Sequence, residues 1–311
     1  MKKISFVIPC YGSEKTIEPV IEEIERFVKQ RSEYDYEIIC VNDTSPDNVL
    51  GVLKKLAVSN KHLKVVDLAR NFGKHSAVMA GFSIVKGDYI VCLDDDGQCP
   101  MDRLWDLLDP VISGGYDYSM AKYDKKKQSG FKNFGSAMNS LMSVILIDKP
   151  KEMNFSNFKA MKRFVVDEMV KYNNPYPYLE GLTLRTTRNI ITVPMEERER
   201  LAGEGHFTLK KSISLWMNGF TAFSVKPLRI ATFFGTLTAI LGFLFGLYVI
   251  IRKIVHPQVA MGYSSTMAVI LFIGGMIMLM LGLIGEYIGR VYISLNNSPQ
   301  FVIREIIGDD K

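Results

Sequence analysis

Two long stretches without a charged residue constrain this chain more than any other feature of its sequence. Residues 230–251 form an uncharged run of 22 residues, and residues 267–285 form another of 19. At a rise of 1.5 Å per residue, a helix of the first length is about 33 Å long, enough to cross the hydrocarbon core of a bilayer. The alternative is a helix pair buried in a soluble core, but two such runs favour two membrane spans.

The basic residues around these runs indicate an orientation. Four precede the first run, two follow it and two follow the second: Lys210, Lys211, Lys226, Arg229, Arg252, Lys253, Arg290 and Arg304. Since short cytoplasmic segments are enriched in Lys and Arg, this bias predicts that both termini are cytoplasmic. The net charge of +5 is modest and is not a nucleic-acid-binding composition. The four cysteines form no C-x-x-C pair, which favours reduced thiols in a cytosol-facing domain.

The first hundred residues alternate between strand and helix patterns. Apolar runs typical of buried strands occur at 4–8, 36–41, 63–68 and 89–93, with helical spacing of apolar residues between them. Such alternation predicts an α/β domain with a mainly parallel sheet and helices on both faces. A further strand is predicted at 117–122.

Polar clusters follow three of these strands, at residues 9–14, 42–47 and 94–98. A parallel sheet gathers the ends of its strands at one edge, where ligands bind. Asp94 and Asp96 are two residues apart and project the same way in extended chain, and their hard oxygens suit Mg²⁺ or Mn²⁺ shared with phosphates. The alternative is a solvated acidic turn. The spacing matches neither the dinucleotide fingerprint nor a P-loop.

The combination resembles the family 2 glycosyltransferases of the GT-A fold, and within them the polyprenyl-phosphate glycosyltransferases. The motifs that carry the resemblance are Val7-Ile8-Pro9-Cys10-Tyr11 with Glu14, Val41-Asn42-Asp43-Thr44-Ser45-Pro46-Asp47, Arg70-Asn71-Phe72-Gly73-Lys74 and Leu93-Asp94-Asp95-Asp96-Gly97-Gln98. The resemblance extends over essentially the whole chain. The implied fold is a Rossmann-like GT-A nucleotide-sugar-binding domain, followed by interfacial amphipathic helices and two transmembrane helices.

The resemblance also implies site residues. The implied nucleotide-binding residues are Pro9, Tyr11, Glu14, Asp43, Lys74 and Asp94. The implied catalytic residues are Asp94, Asp96 and Arg200, and the implied ligands of Mg²⁺ or Mn²⁺ are Asp96 and Gln98. The implied contacts of the acceptor phosphate are Lys122, Lys132, Ser136 and Arg200. Lys122 and Lys132 stand where the family has Arg, so they attract phosphate without bidentate geometry.

The sequence patterns and the family resemblance together imply a domain organisation. Residues 1–206 are expected to be a cytoplasmic catalytic domain, 207–229 an interfacial helix and linker, 230–251 and 267–289 the spans, 252–266 an external loop and 290–311 a cytoplasmic tail. A second amphipathic helix, at 131–147, carries apolar residues at spacings of three and four.

The expected function is inverting transfer of a hexose-type sugar from a nucleotide diphosphate sugar, with UDP favoured over GDP, to undecaprenyl phosphate at the cytoplasmic face of the inner or plasma membrane. The product would serve modification of cell-envelope glycans, and the resemblance implies a homo-oligomer, a tetramer. One alternative is a processive polysaccharide synthase, which the missing Q-x-x-R-W motif and the small number of spans disfavour. Another is an inactive transferase-like membrane scaffold, which the departures from the family pattern at Lys132 and Gly205 leave open.

Overall fold

The computed structural model describes residues 1–123, 155–201, 226–256, 262–296 and 298–308. The chain divides into two compact units. The sheet unit comprises Met1–Gly219 together with Asn297–Lys311, and the helical unit comprises Phe220–Asn296. The amphipathic helices expected at 131–147 and 207–223 lie outside the described residues.

The sheet unit contains one sheet in its described part. Its strands in chain order are β1 (Lys2–Cys10), β2 (Tyr34–Asn42), β3 (Leu63–Leu68), β4 (Tyr89–Cys92), β5 (Tyr118–Tyr123), β6 (Lys159–Lys162), β7 (Ile190–Met195) and β8 (Ile303–Ile307). Their order across the sheet is β7-β5-β6-β4-β1-β2-β3-β8.

Helices connect these strands. In chain order they are α1 (Ile17–Val28), α2 (Val49–Ser59), α3 (Lys74–Phe82), α4 (Leu104–Ile112), α5 (Arg163–Met169) and α6 (Leu179–Thr186) in the sheet unit, and α7 (Lys226–Val255) and α8 (Tyr263–Leu295) in the helical unit. The alternation of strands and helices predicted from the first hundred residues is confirmed, as is the strand predicted at 117–122.

The sheet is mainly parallel, and only β6 and β8 run antiparallel to their neighbours among the described strands. Strand β1 pairs in parallel with β2 and with β4, and β2 pairs in parallel with β3. Strand β6 runs antiparallel between β4 and β5. All four central strands are buried almost throughout, which is why they read as unbroken apolar runs rather than as alternating patterns.

The last strand of the sheet comes from the segment that the sequence analysis treats as a tail. Strand β8 pairs antiparallel with β3 and forms one edge of the sheet. Three of its five residues are exposed and the other two are half-buried, which is typical of a strand at the edge of a sheet. The sheet unit therefore includes chain from both sides of the helical unit.

Helix α3 is packed against the centre of the sheet. Its residues from Ser76 to Phe82 are all buried. A Cβ added at Gly81 would lie 2.5 Å from Val7 Cγ1 and 3.2 Å from Val41 Cγ2. Glycine at this position therefore lets α3 approach β1 and β2 closely, and it places the N-terminus of α3 beside the ends of these strands.

The helical unit consists, in its described part, of α7 and α8. Within them Ala231–Arg252 and Phe272–Leu295 are long and apolar enough to cross a membrane, with mean hydropathies of 2.2 and 1.7. The second of these segments includes Glu286 and Arg290, which are four residues apart on one helix. The most apolar window of each segment contains no residue that is buried inside the described structure.

Candidate active site

The three polar clusters predicted from the strand ends meet at the carboxyl edge of the sheet. The Gly12 backbone N–H donates to Ser45 Oγ at 2.7 Å, which joins the loop after β1 to the loop after β2. The Tyr11 backbone N–H donates to Asp95 Oδ2 at 3.0 Å, which joins the loop after β1 to the loop after β4. The predicted nucleotide residues therefore surround one location.

Asp43 is the most enclosed of these residues. It is only 3% exposed. Its two carboxylate oxygens accept hydrogen bonds from the backbone N–H groups of Phe72 and Gly73, at 2.7 and 2.8 Å. Burial raises the pKa of Asp43 above its ordinary value, although both hydrogen bonds oppose this shift. A carboxylate fixed by the following loop is suited to accept the N–H or O–H donors of a base or ribose.

The remaining nucleotide residues lie around Asp43. Pro9 is buried near the end of β1, where it pairs with Val41. Tyr11 is exposed by 42% and stands at the surface of the site. The Glu14 backbone N–H donates to Asp47 Oδ2 at 2.8 Å, and the Glu14 carboxylate accepts from the Asn48 N–H at 3.3 Å, so this pair of loops is tied by reciprocal contacts.

Asp94 is held by a cation and an amide. Its Oδ1 lies 2.5 Å from Lys74 Nζ, and its Oδ2 accepts a hydrogen bond from Asn157 Nδ2 at 2.8 Å. Lys74 is the first residue of α3, so the helix places this charge directly beside the strand end. Sequence analysis predicted Lys74 but not Asn157, because Asn157 is 63 residues from Asp94 in the chain.

Asp96 and Gln98 converge on one guanidinium. Arg200 Nε donates to Gln98 Oε1 at 2.8 Å and lies 3.3 Å from Asp96 Oδ2. The Asp96 and Gln98 oxygens thus both face the position that the Arg200 guanidinium occupies. Hard divalent cations bind such carboxylate and amide oxygens, so these two residues fit the predicted Mg²⁺ or Mn²⁺. No cage of three or more acidic, His or Cys side chains exists among the described residues, so a metal here would need further oxygens from a ligand.

The segment around Arg200 is docked on the acidic loop. The Leu201 N–H donates to the Asp96 carbonyl at 3.1 Å, and the Arg198 N–H donates to the Gln98 carbonyl at 3.1 Å. The Arg198 side chain pairs with Glu23 at 2.6 Å and also with Asp102. Sequence analysis singled out Arg200 in this segment but not Arg198, which ties the segment to α1.

Asp95, between the two predicted aspartates, was not predicted as a site residue. Burial raises its pKa to about 6, and the hydrogen bond that it accepts from the Tyr11 backbone N–H opposes the rise. Its carboxylate therefore faces the protein interior and binds the loop after β1. Strand β4 ends at Cys92 and residues 95 and 96 form a turn, so the alternation expected of an extended chain does not apply to these three aspartates.

A buried polar cluster lies beside Asp94, and its members Lys159 and His75 were not predicted as site residues. Burial opposes the charge of Lys159, but Tyr118, Cys92, Glu180 and Asp94 together raise its pKa. Burial lowers the pKa of His75, whose Nδ1 accepts the Leu179 N–H at 3.1 Å. Because Nδ1 is an acceptor, the neutral ring carries its proton on Nε2. The adjacent Glu180 Oε2 is buried without a hydrogen-bond partner, 4.0 Å from that Nδ1.

The predicted acceptor residues are only partly described. Lys122 is exposed at the end of β5. Lys132 and Ser136 lie outside the described residues, and Arg200 is placed on Asp96 and Gln98 as above. Their joint role in binding an acceptor phosphate stays a prediction.

Two families match this chain. The family described as glycosyl transferase family 2 matches residues 5–170, which include most of β1, all of β2 to β6 and every predicted residue of the nucleotide and metal sites. The family described as the GtrB C-terminal hairpin matches residues 226–291, which cover α7 and most of α8.

Characterised relatives match nearly the full length. The chain is 32% identical to a prophage-derived bactoprenol glucosyl transferase of Shigella flexneri, over 97% of this chain and 98% of that protein. It is 29% identical to an undecaprenyl-phosphate 4-deoxy-4-formamido-L-arabinose transferase of Proteus mirabilis, over 100% of this chain and 96% of that protein.

Solved structures show the fold. Glucosyl-3-phosphoglycerate synthase from Mycobacterium tuberculosis, crystallised with Mn²⁺, UDP and phosphoglyceric acid, aligns with a TM-score of 0.51 at 19% identity, over 69% of this chain and 75% of that one. The GT-A-like α/β fold expected from the sequence is thereby confirmed.

Proposed function

Since the chain belongs to glycosyltransferase family 2 and carries the GtrB C-terminal hairpin, we propose that it transfers a hexose-type sugar from a nucleotide diphosphate sugar to undecaprenyl phosphate. The donor nucleotide is UDP, and the transfer takes place at the cytoplasmic face of the membrane. The observation that carries the proposal is the convergence of Asp96 and Gln98 on one cation position, beside the enclosed carboxylate of Asp43.

The lipid acceptor is supported by the relatives and by the helical unit. The names of the Shigella flexneri and Proteus mirabilis relatives specify bactoprenol and undecaprenyl phosphate. The two apolar segments of α7 and α8 supply a means to hold the enzyme at the membrane, where a polyprenyl phosphate presents its headgroup.

The donor site is supported by the chemistry of the residues at the sheet edge. Asp43 accepts donors of the base and ribose, and Lys74 offers positive charge to the diphosphate. Asp96 and Gln98 would hold the metal, which when bound neutralises the negative charge that develops on the leaving diphosphate. Arg200 lies against the same two residues and is available to a phosphate once its present contacts are exchanged.

The acceptor needs no strong general base. A phosphate monoester has a second pKa of about 6, so at neutral pH its oxygen is already mostly ionised. That oxygen forms the new bond to the anomeric carbon while the bond from this carbon to the nucleotide diphosphate breaks. A single displacement of this kind inverts the anomeric configuration. Lys122, Lys132, Ser136 and Arg200 gather the acceptor phosphate.

Chain connectivity supports the orientation. The strands β1–β7 precede the helical unit and β8 follows it, yet all belong to one sheet. A folded sheet cannot lie on both sides of a bilayer, so the chain crosses the membrane an even number of times between β7 and β8. Two spans satisfy this requirement, and the distribution of Lys and Arg supports a cytoplasmic sheet unit.

The test is sugar transfer to lipid by the purified full-length protein. Undecaprenyl phosphate and Mn²⁺ are incubated with radiolabelled UDP-glucose, UDP-N-acetylglucosamine, UDP-galactose or GDP-mannose in separate reactions. We expect label in the organic phase with a UDP-sugar, abolished by a chelator. Asp96→Asn is expected to lower the rate at least about a hundredfold, because it removes a charged ligand of the metal that would neutralise the developing diphosphate charge.

The matched control is Asp106→Asn, which removes an exposed carboxylate that pairs only locally with Arg103. It is expected to retain the rate of the unaltered protein. Calorimetric binding of UDP with Mn²⁺ separates the negative outcomes. Binding without transfer would indicate a different donor sugar, and absence of both would favour the inactive scaffold.

A further inference from the structure

Strand β8 reaches the sheet only after the chain has passed through the helical unit. It pairs antiparallel with β3, and the Ala69 N–H donates to the Val302 carbonyl at 2.9 Å just beyond the paired residues. The contact extends the β8 edge to the start of residues 69–73. This loop is the one whose Phe72 and Gly73 N–H groups bind the Asp43 carboxylate.

Arg304, on β8, makes the central side-chain contact of this edge. Its Nη1 donates to Asp67 Oδ2 at 2.9 Å, and its Nη2 donates to the Ala69 carbonyl at 2.9 Å. Asp67 is 1% exposed, whereas the Arg304 side chain is 54% exposed. The guanidinium thus covers a carboxylate that is otherwise enclosed, and an enclosed carboxylate without a partner is costly.

The contacts continue from Asp67 to the loop after β2. Asn42 Nδ2 donates to Asp67 Oδ1 at 2.7 Å, and Asn42 Oδ1 accepts the Ser45 N–H at 3.2 Å. Ser45 Oγ in turn accepts the Gly12 N–H at 2.7 Å. Arg304 therefore acts on both loops that enclose Asp43, one through Asp67 and Asn42 and the other through the Ala69 carbonyl.

We propose that Arg304 is a positioning residue for the nucleotide, and that β8 holds the two loops around Asp43 in the conformation that binds the donor. This inference rests on the proposed function, in which Asp43 binds the base and ribose. Arg304 touches neither the nucleotide nor the reacting atoms. Its effect is transmitted through Asp67 and the loop at 69–73.

The neighbouring residue supplies a matched control. Glu305 lies on the same strand and pairs with Lys54 on α2 at 2.5 Å, with both side chains more than 40% exposed. Glu305 pairs with Asp67 through the backbone of the ladder, but its side chain is directed to Lys54 and not to the Asp67 carboxylate. Glu305→Gln therefore weakens the attachment of β8 while the side-chain contacts of Arg304 with Asp67 and Ala69 are kept.

The experiment uses full-length protein in detergent, with UDP and Mn²⁺ titrated calorimetrically and donor KM and kcat measured in the transfer reaction. We expect Arg304→Gln to raise the UDP Kd and the donor KM about tenfold, because the buried Asp67 carboxylate loses its charged partner. The change in kcat is expected to be much smaller. Arg304→Lys should be intermediate, since one ammonium cannot serve both acceptors, and Glu305→Gln should change the Kd less than about twofold.

A double variant tests the cause. If an unpaired Asp67 charge displaces the loops, Asp67→Asn combined with Arg304→Gln should bind UDP more tightly than Arg304→Gln alone. The proposal is overturned if Arg304→Gln lowers the thermal midpoint but leaves the UDP Kd unchanged, or if Glu305→Gln weakens binding equally. If the unaltered protein binds neither UDP nor GDP, the proposed function itself fails, and this inference fails with it.

Discussion

At the scale of single residues, the position of Arg200 defines the candidate metal site. Its guanidinium contacts Gln98 Oε1 and Asp96 Oδ2, the two oxygens that the sequence assigns to Mg²⁺ or Mn²⁺. A guanidinium and a divalent cation cannot both occupy this position. In the proposed function, a metal held by these two oxygens would therefore displace Arg200, and the freed side chain would be available to a phosphate.

We expect Arg200→Gln to bind Mn²⁺ more tightly than the unaltered protein, by up to about fivefold, because an exposed ion pair contributes at most about 1 kcal/mol. Sugar transfer should fall in the same variant. Arg198→Gln is the matched control, since it removes an equal charge two residues away that pairs with Glu23 and Asp102 instead. Electron paramagnetic resonance of free Mn²⁺, with UDP present, measures the affinity. An equal rise in Mn²⁺ affinity in both variants would indicate that the loss of one positive charge is the cause, and not competition between Arg200 and the metal for the same oxygens.

The sequence predicted the residues of the site more fully than their partners. Asp43, Asp94, Asp96 and Gln98 follow strand ends, so the topology of a parallel sheet brings them together. Asn157 and Arg304 were not predicted as partners of this site. Asn157 contacts Asp94, which is 63 residues away in the chain, and Arg304 contacts Asp67, which is 237 residues away. No pattern within the sequence indicates contacts between residues so far apart.

At the scale of elements, the apolar strands β1 to β4 were predictable, whereas β6 and β8 were not. Strands β1 to β4 are apolar because both faces of the sheet are covered. Strand β6 lies inside the sheet between β4 and β5, but it has only four residues, two of them lysines. Strand β8 forms an edge and three of its five residues are exposed, and an edge strand is held by backbone pairing rather than by an apolar pattern.

Helix α3 illustrates a requirement that composition does not indicate. Gly81→Ala is expected to destabilise the protein by about 1–3 kcal/mol, because the new methyl group overlaps Val7 and Val41 and forces α3 from the sheet. Gly51→Ala in α2 is the control, since its added Cβ meets only the Asn48 side chain and Ala is the better helix former by about 1 kcal/mol. Thermal unfolding monitored by near-ultraviolet circular dichroism compares the two. A Gly81→Ala midpoint equal to that of Gly51→Ala would show that the helix shifts at little cost.

At the scale of the whole molecule, the helical unit is an insertion in the chain of the sheet unit. Because β7 precedes α7 and β8 follows α8, the membrane segments form a loop between two parts of one folded sheet. This arrangement is compatible with a helical hairpin that enters and leaves the membrane on one side. The hydropathy of the sequence predicted two spans, whereas the need for an even number of crossings follows only from the structure.

Thiol labelling tests this topology. The four native cysteines are buried, so the background reactivity of the folded protein should be low. In intact cells a membrane-impermeant thiol reagent should modify Gln258→Cys, between the two helices. Lys61→Cys and Asp309→Cys should react only after the cells are permeabilised. Labelling of Lys61→Cys and Asp309→Cys from opposite sides would contradict the hairpin.

The position of β8 also orders the maturation of the protein. Chains are synthesised from the N-terminus, and domains generally fold as their residues emerge. Until β8 emerges, β3 has no partner at its outer edge, and Asp67 lacks the guanidinium of Arg304. Helices α7 and α8 are both synthesised before that strand. In the proposed function, the ribosome would therefore complete the membrane anchor before it makes the last strand that supports the donor site.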